Sequence, residues 1–352
     1  MADLLQSPLH DRHVALGAKF AEFGGWSMPL EYPTGVVKEH TAVREAVGIF
    51  DVSHLGKAMV TGAGATDHVN ATLSNDLAKI TPGQAQYTLC CDDATGGIVD
   101  DLIVYFHDEQ HVLLVPNAAN AAEVVRRLAE AAPAGVEVVD HHTEYAVLAV
   151  QGTQSDEVLT AVGLPAGHGY MSFVEADVGG SGVVVCRTGY TGERGYELVA
   201  RNEVAGDLWD ALMTAGEDRG MLPCGLAARD TLRTEMGYPL HGQDITLEVT
   251  PNQARLGWAV GWKKERFWGR EALLADGRGI PRPGMLVFLA PDVPLGAITS
   301  GTFSPTLRKG IGMALLPPFV DAEAELTVDV RGRRELFRST KLPFVDPSVR
   351  ES

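Results

Sequence analysis

The chain has 352 residues, 45% of them apolar and 21% charged, with 29 Lys plus Arg against 46 Asp plus Glu, a formal charge of −17. This composition excludes a chain dominated by disorder, and at about 150 residues per domain it predicts two or three domains. The sign of the charge argues against nucleic acid as a partner, because a phosphate backbone is held by basic residues; no apolar run reaches the roughly 18 to 20 residues that cross a membrane.

The N-terminal segment MADLLQSPLHDRHV has neither a basic head nor a long apolar stretch, so no secretory signal is read there and a cytoplasmic location is expected. A Gly/Pro-punctuated stretch, FGGWSMPLEYPTG, precedes an amphipathic helix from Val36 to Val47 that Gly48 is placed to end. QAQYTLCC (84–91) alternates as a strand, DDATGG turns, IVDDLIVYF forms a second strand and HVLLVPN a third. Residues 117–132 follow as a helix, with Asn117 or Asn120 as its cap and Val124, Val125 and Leu128 as its apolar stripe.

YAVLAVQG then reads as a strand and VVVCRTGYTGERGYELVA as a hairpin, followed by a helix over 203–215. A second helix lies in CGLAARDTLRTEMG, with Gly237 closing it in the left-handed conformation. Beyond about residue 275, short strands with Gly and Pro turns predict a small β module. Hairpins interleaved with amphipathic helices make the fold class α+β.

Three sets of residues carry possible chemistry. Strand alternation puts Asp101 on the face of Val99, Ile103 and Tyr105, and Asp100 on the opposite face with Ile98, Leu102 and Val104. Each carboxylate thus stands among apolar neighbours, where it must cap the hairpin or meet a proton or cation. Arg229 and Arg233, four apart on one helix face, repel unless Asp230 and Glu235 offset them or an anionic group faces them. Glu197 lies in a strand beside a glycine-rich turn, and on its own reads as solvent-facing.

Other patterns lead nowhere. GAGATD (62–67) lacks the third glycine of a dinucleotide fingerprint. Asp51, Ser53 and His54 are too close in sequence to imply a hydrolase triad. His141–His142 lacks metal spacing, and Cys90, Cys91, Cys186 and Cys224 read as reduced core thiols, so no metal is expected. Arg331, Arg333, Arg334, Arg338 and Lys341 form a basic segment in an acidic chain, read as a solvated strand face or a guide for an anionic partner.

These segments, in this order, resemble the glycine cleavage T-protein family of aminomethyltransferases. The match runs through FGGWSMPLEY, EHTAVREAVGIFDVSH, GQAQYT, GGIVDDLIVY, VPNA, GYTGERGYEL, CGLAARDTLRTEMGYPLHGQD and TSGTFSPTL, about residues 8 to 345. The resemblance implies a three-domain cloverleaf around a folate channel: a discontinuous α+β domain of residues 1–50 and 140–275, a second α+β domain over 51–139, and a C-terminal β-barrel-like domain over 276–352. It also implies transfer of the methylene of an aminomethyl-dihydrolipoyl group, carried on H protein, to tetrahydrofolate. Ammonia is released and 5,10-methylenetetrahydrofolate formed. The P and L proteins of the system would be indirect partners.

By the same resemblance, Asp101 is the carboxylate near folate N10, Glu197 takes the pterin's amide-like edge, and Arg229 lies by the same ring. Tyr87, Asn117, Tyr170 and Tyr190 line the pocket, and Arg282 matches an arginine implicated in activity. Leu55 replaces the family's usual methionine, and the chain runs from FWGREALLA straight into DGRGIPRPG, where the family has additional residues. The alternatives are a folate-dependent demethylase or amine-oxidase half, and a non-catalytic folate-binding protein of the same superfamily. An oxidase would need a flavin domain that this chain has no length for, and Cys224 does not reproduce the cysteine signature of the non-catalytic class.

Overall fold

A computed structural model describes residues 4–275, 295–307, 309–321, 323–330 and 333–346. Two sheets form its centre. The six-stranded sheet runs in the order Phe173–Val178, Ser181–Cys186, Gly195–Arg201, Tyr145–Gln151, Gly48–Asp51, Leu222–Cys224, antiparallel except for its last pair. The five-stranded sheet is antiparallel, in the order Gln84–Cys91, Ile98–Asp108, His111–Val115, Ala58–Gly62, Val136–Asp140. A small sheet of Leu5–Gln6, Lys19–Phe23 and Trp26–Glu31 lies at the N-terminal end, and two hairpins, Ala297–Ser304 with Lys309–Leu315 and Glu325–Val330 with Arg333–Arg338, form the β module.

Alternation within the strands explains the layering. In Tyr145–Gln151, Leu148 and Val150 point outward onto helices Ser155–Ala161 and Asn202–Gly216, where Leu208, Trp209 and Leu212 are buried. Val147 and Ala149 point inward, with Val199, Phe173 and Cys186, against Tyr105 and Leu113 of the other sheet. That sheet's outer face, with Val60, Val104 and Leu114, is covered by helices Ala65–Thr72 and Ala121–Glu130. The order is helix, sheet, sheet, helix, and residues on the inner faces meet at the site described below. Truncating one of these core side chains, Leu212 for example, costs about 2–5 kcal/mol.

Several local expectations change. Val36–Glu45 is a helix, but Gly48 does not end it; Gly48 begins a strand, where a Cβ would come within 2.6 Å of Val43 and 2.7 Å of the Cys224 sulfur. The helix predicted over 117–132 is confined to Ala121–Glu130 and has no side-chain cap bond, because the amides of Asn117 and Asn120 are committed elsewhere. Val99 is bulged between the pairs Cys90–Asp100 and Cys91–Ile98, so it joins Leu102 and Val104 rather than sharing a face with Ile103. All four cysteines are buried free thiols, as read from the sequence. Helix Leu226–Met236 ends at Gly237, left-handed at φ 69°.

The β module is fastened to that helix by polar side chains. Ser300 donates to Asp244 at 2.7 Å and accepts from Arg233 at 2.9 Å, while Ser304 donates to Glu235. Thr306 adds a bond to Glu235 at 3.2 Å. The segment TSGTFSPT therefore works as a strap across the helix whose other end carries Arg229.

Candidate functional site

The strand Ile98–Asp108 brings its two aspartates to one hub, Asn117. The Asn117 amide nitrogen donates to Asp100 Oδ1 at 2.9 Å, to Asp101 Oδ1 at 2.9 Å and to the Asp101 carbonyl at 2.8 Å, and its backbone N–H donates to Asp100 Oδ2 at 3.0 Å. The bulge at Val99 lies directly before the two aspartates that reach this one amide. Tyr87, on the neighbouring strand, donates its hydroxyl to Asp101 Oδ2 at 3.0 Å. Asp100 is fully buried and Asp101 half-buried. Burial pushes both carboxyls above the usual carboxylate range, and their hydrogen bonds pull against it.

Glu197 comes from the facing sheet. The sequence alone reads it as solvent-facing, but it is buried, because its strand is covered on both faces. Thr188 donates to Glu197 Oε2 at 2.7 Å, and the Tyr105 hydroxyl lies 3.0 Å from Thr188. Arg229, one turn into its helix, stacks over the Tyr190 ring at 4.8 Å from its centroid. Its Nη1 is buried without a hydrogen-bond partner among the described residues. Burial lowers the Arg229 pKa while the Glu197 charge holds it up. An unpartnered buried guanidinium nitrogen costs roughly 1–3 kcal/mol or more, a cost that a ligand acceptor removes.

The two arginines read as sharing one helix face have different surroundings. Arg233 is engaged by Asp230 at 2.6 Å and Asp244 at 2.7 Å, so it is structural, whereas Glu235 pairs with Arg44 at 2.7 Å. Arg229 alone keeps a free donor for the pocket. Tyr190 donates its hydroxyl to the Pro239 carbonyl, which fixes the ring under Arg229. Tyr170 lies half-buried in the turn before Phe173–Val178, with the Arg187 charge near it. Arg282 lies outside the described residues, as does Arg331; Arg338, in the basic segment, is exposed and 3.6 Å from Glu325.

Sequence reasoning missed four contributors. Asn120 donates to Asp100 at 2.7 Å and contacts His241 at 3.0 Å. Trp258 stacks on Tyr87, 5.3 Å between centroids, yet is 63% exposed. His54 is buried with its Nδ1 unpartnered, its pKa lowered to about 3 by burial and then by the Arg229 charge. His54 and His241 lie in the segments DVSH and PLHGQD that carry the resemblance, but nothing in those segments shows that they face this site; Trp258, in LGWAVGW, lies in no such segment. Among the described residues no three His, Cys, Asp or Glu side chains are grouped to hold a metal ion.

The chemistry on offer is asymmetric. Arg229 and Glu197 are a buried donor and a buried acceptor whose charges act on one another. Asp101 is a carboxylate oriented by Asn117 and Tyr87. Trp258 and Tyr87 provide an aromatic margin that is partly open to solvent.

Comparison with known proteins gives the family. Residues 9–264 match the GCVT N-terminal domain and residues 271–346 the glycine cleavage T-protein C-terminal barrel domain. The fold and this pair of domains define the class: an enzyme of the aminomethyltransferase type. The chain belongs to the glycine cleavage T-protein family. It is 62% identical over 366 residues to an aminomethyltransferase of Frankia alni, covering 99% of this chain and 100% of that one. It is 54% identical to one from Mycobacterium avium, covering 99% of each chain. Among solved structures, the glycine cleavage system aminomethyltransferase T of Bartonella henselae superposes with a TM-score of 0.90 at 34% identity, covering 98% of this chain and 99% of that one.

Proposed function

We propose that this enzyme moves the methylene of an aminomethyl group, held as a thioether-like adduct on the dihydrolipoyl arm of H protein, onto tetrahydrofolate. The methylene carbon breaks its bonds to the amine nitrogen and to the lipoyl sulfur and forms bonds to folate N5 and N10. Those two folate nitrogens give up their protons; the sulfur leaves as a thiol and the nitrogen as ammonium. Atoms and charge balance without an oxidant or a metal. P and L proteins act before and after this step and need not touch the chain. The reaction belongs in the cytoplasm, and no helix among the described residues is long and apolar enough to cross a membrane.

One observation carries the assignment of roles: Arg229 Nη1 is buried and unpartnered, next to the Glu197 charge. In this reading Arg229 donates to the pterin carbonyl and Glu197 accepts from the adjacent N–H groups. Asp101 faces N10 and stabilises the cationic carbon while ammonia leaves; it has little to do as a base, because orientation supplies most of the rate. Tyr87, Asn117, Tyr190 and Tyr170 shape the pocket, and Arg282, by the same resemblance, contributes to activity. The division into residues 1–50 with 140–275, 51–139 and 276–352 follows from the same reading.

The test is ammonia release from aminomethylated H protein, with and without tetrahydrofolate. Strong folate-dependent release, with methylenetetrahydrofolate formed, is the expected result. Folate binding without ammonia would move the chain to the demethylase or folate-sensing class. In Asp101→Asn, folate still binds and turnover falls by about 100-fold or more; wild-type turnover in that variant would reduce Asp101 to a structural role.

A further inference from the structure

One chain of hydrogen bonds behind Asp101 is ordered from its far end. The Ile98 carbonyl can only accept, so His241 Nε2, 3.0 Å away, donates to it. His241 Nδ1 therefore accepts from the Asn120 amide at 3.0 Å. The other Asn120 hydrogen goes to Asp100 Oδ1 at 2.7 Å, and the Asn117 amide bridges Asp100 and Asp101 at 2.9 Å each. The Asn117 amide is thus held with its NH2 end toward Asp101 and cannot flip.

Asp100 itself is fully buried behind the strand, so its role in that chain is exerted through Asn117. Burying a carboxyl group costs free energy unless its partners compensate. Three donor contacts from Asn117 and Asn120 offset part of that cost, at 2.7 to 3.0 Å. An apolar residue at that position would avoid the cost and leave the Asn117 side chain held by Asp101 alone.

We propose that Asp100, with Asn120 and His241, is a positioning residue for the transfer reaction: it locks Asn117 onto Asp101. The inference rests on the role of Asp101 proposed above. The groups that face Asp101 are Tyr87 from the paired strand, Tyr190 from the glycine-rich loop, His241, and Asp100 itself. Cys90, from the paired strand, faces Asp100, with Arg127 and Glu123 beyond it. Of these, the Asp100 carboxyl is the group joined to Asp101 through a single amide.

The test compares the wild type with Asp100→Asn, Asn120→Ala and Asp101→Asn. Turnover with aminomethylated H protein and tetrahydrofolate is measured between about pH 5 and pH 9, and folate binding is measured separately by calorimetry. Turnover needs Asp101 ionised, so the wild-type rate falls on the acid side. In Asp100→Asn the expected loss in kcat is about 100-fold, with folate affinity nearly kept. In Asn120→Ala kcat falls about tenfold with KM for folate unchanged, and this variant decides the question if Asp100→Asn does not fold. Wild-type kcat in either folded variant, or a loss of folate affinity in place of a loss of kcat, would overturn the inference while leaving the reaction intact. Undiminished turnover in Asp101→Asn would instead remove the reading on which it rests.

Discussion

The Arg229 guanidinium lies over the Tyr190 ring, 4.8 Å from its centroid, while the Tyr190 hydroxyl is tied to the Pro239 carbonyl. The ring supports the guanidinium, and Nη1 meets no acceptor among the described residues. This pairing depends on shape as much as on charge, so lysine does not replace arginine here.

Arg229→Lys keeps the charge and loses the fork. A charge-assisted hydrogen bond is worth about 1.5–3 kcal/mol, so KM for tetrahydrofolate should rise about 30-fold. Steady-state kinetics with saturating H protein checks this. An unchanged KM would mean that Arg229 does not touch the folate.

Trp258, stacked on Tyr87 and 63% exposed, is placed to cover a ligand leaving the pocket. Folate binding should quench tryptophan emission, and Trp258→Ala should remove most of that quenching. The same variant should raise KM about fivefold to tenfold with kcat nearly constant, as expected from the loss of one aromatic contact. Undiminished quenching in Trp258→Ala would assign the signal to another of the five tryptophans.

Glu235 governs acid stability. Its side chain is fully buried, and bonds from His40, Ser304 and Arg44 hold its pKa down at about 2, against an ordinary value of 4.5. A lowered folded-state pKa stabilises the fold above the ordinary value, and that stability is lost as pH falls from about 4.5 towards 2. Glu235→Gln leaves Arg44 with one buried partner fewer and should cost about 3 kcal/mol at neutral pH. Denaturant unfolding should show the gap between variant and wild type narrowing below pH 4.5. A gap independent of pH would exclude the ion pair as its source.

Gly192 sits at φ 85°, and a Cβ there would lie 2.2 Å from the Met236 sulfur. Gly192→Ala should therefore destabilise by about 2–3 kcal/mol, the sum of left-handed strain and overpacking. Gly180, at φ 84° with nothing within 4 Å of its added Cβ, isolates the first part, and its alanine variant should cost about 1 kcal/mol. Thermal melts of both variants test the difference. Equal losses would mean that Met236 moves aside without cost.

The sequence by itself determined the elements with strong periodicity or punctuation: the strands at 84–91 and 145–151, the helix that Gly237 ends, and the β module beyond about 275. Motif order likewise pointed to the family, and with it to Asp101, Glu197 and Arg229. Period and punctuation are local properties, and a linear reading captures them. Tertiary structure decided the rest. Glu197 read as a surface residue because a strand's own pattern does not record a second sheet packed on its polar face. Arg229 and Arg233 looked alike, since their spacing is blind to Asp244 and Ser300, which bind only one of them. Asn117 and Asn120 looked like helix caps, because turn-forming asparagines near a helix start have that role unless a buried carboxylate competes for the amide. Here Asp100 is that competitor, and directly after the bulge at Val99 it and Asp101 reach the same asparagine.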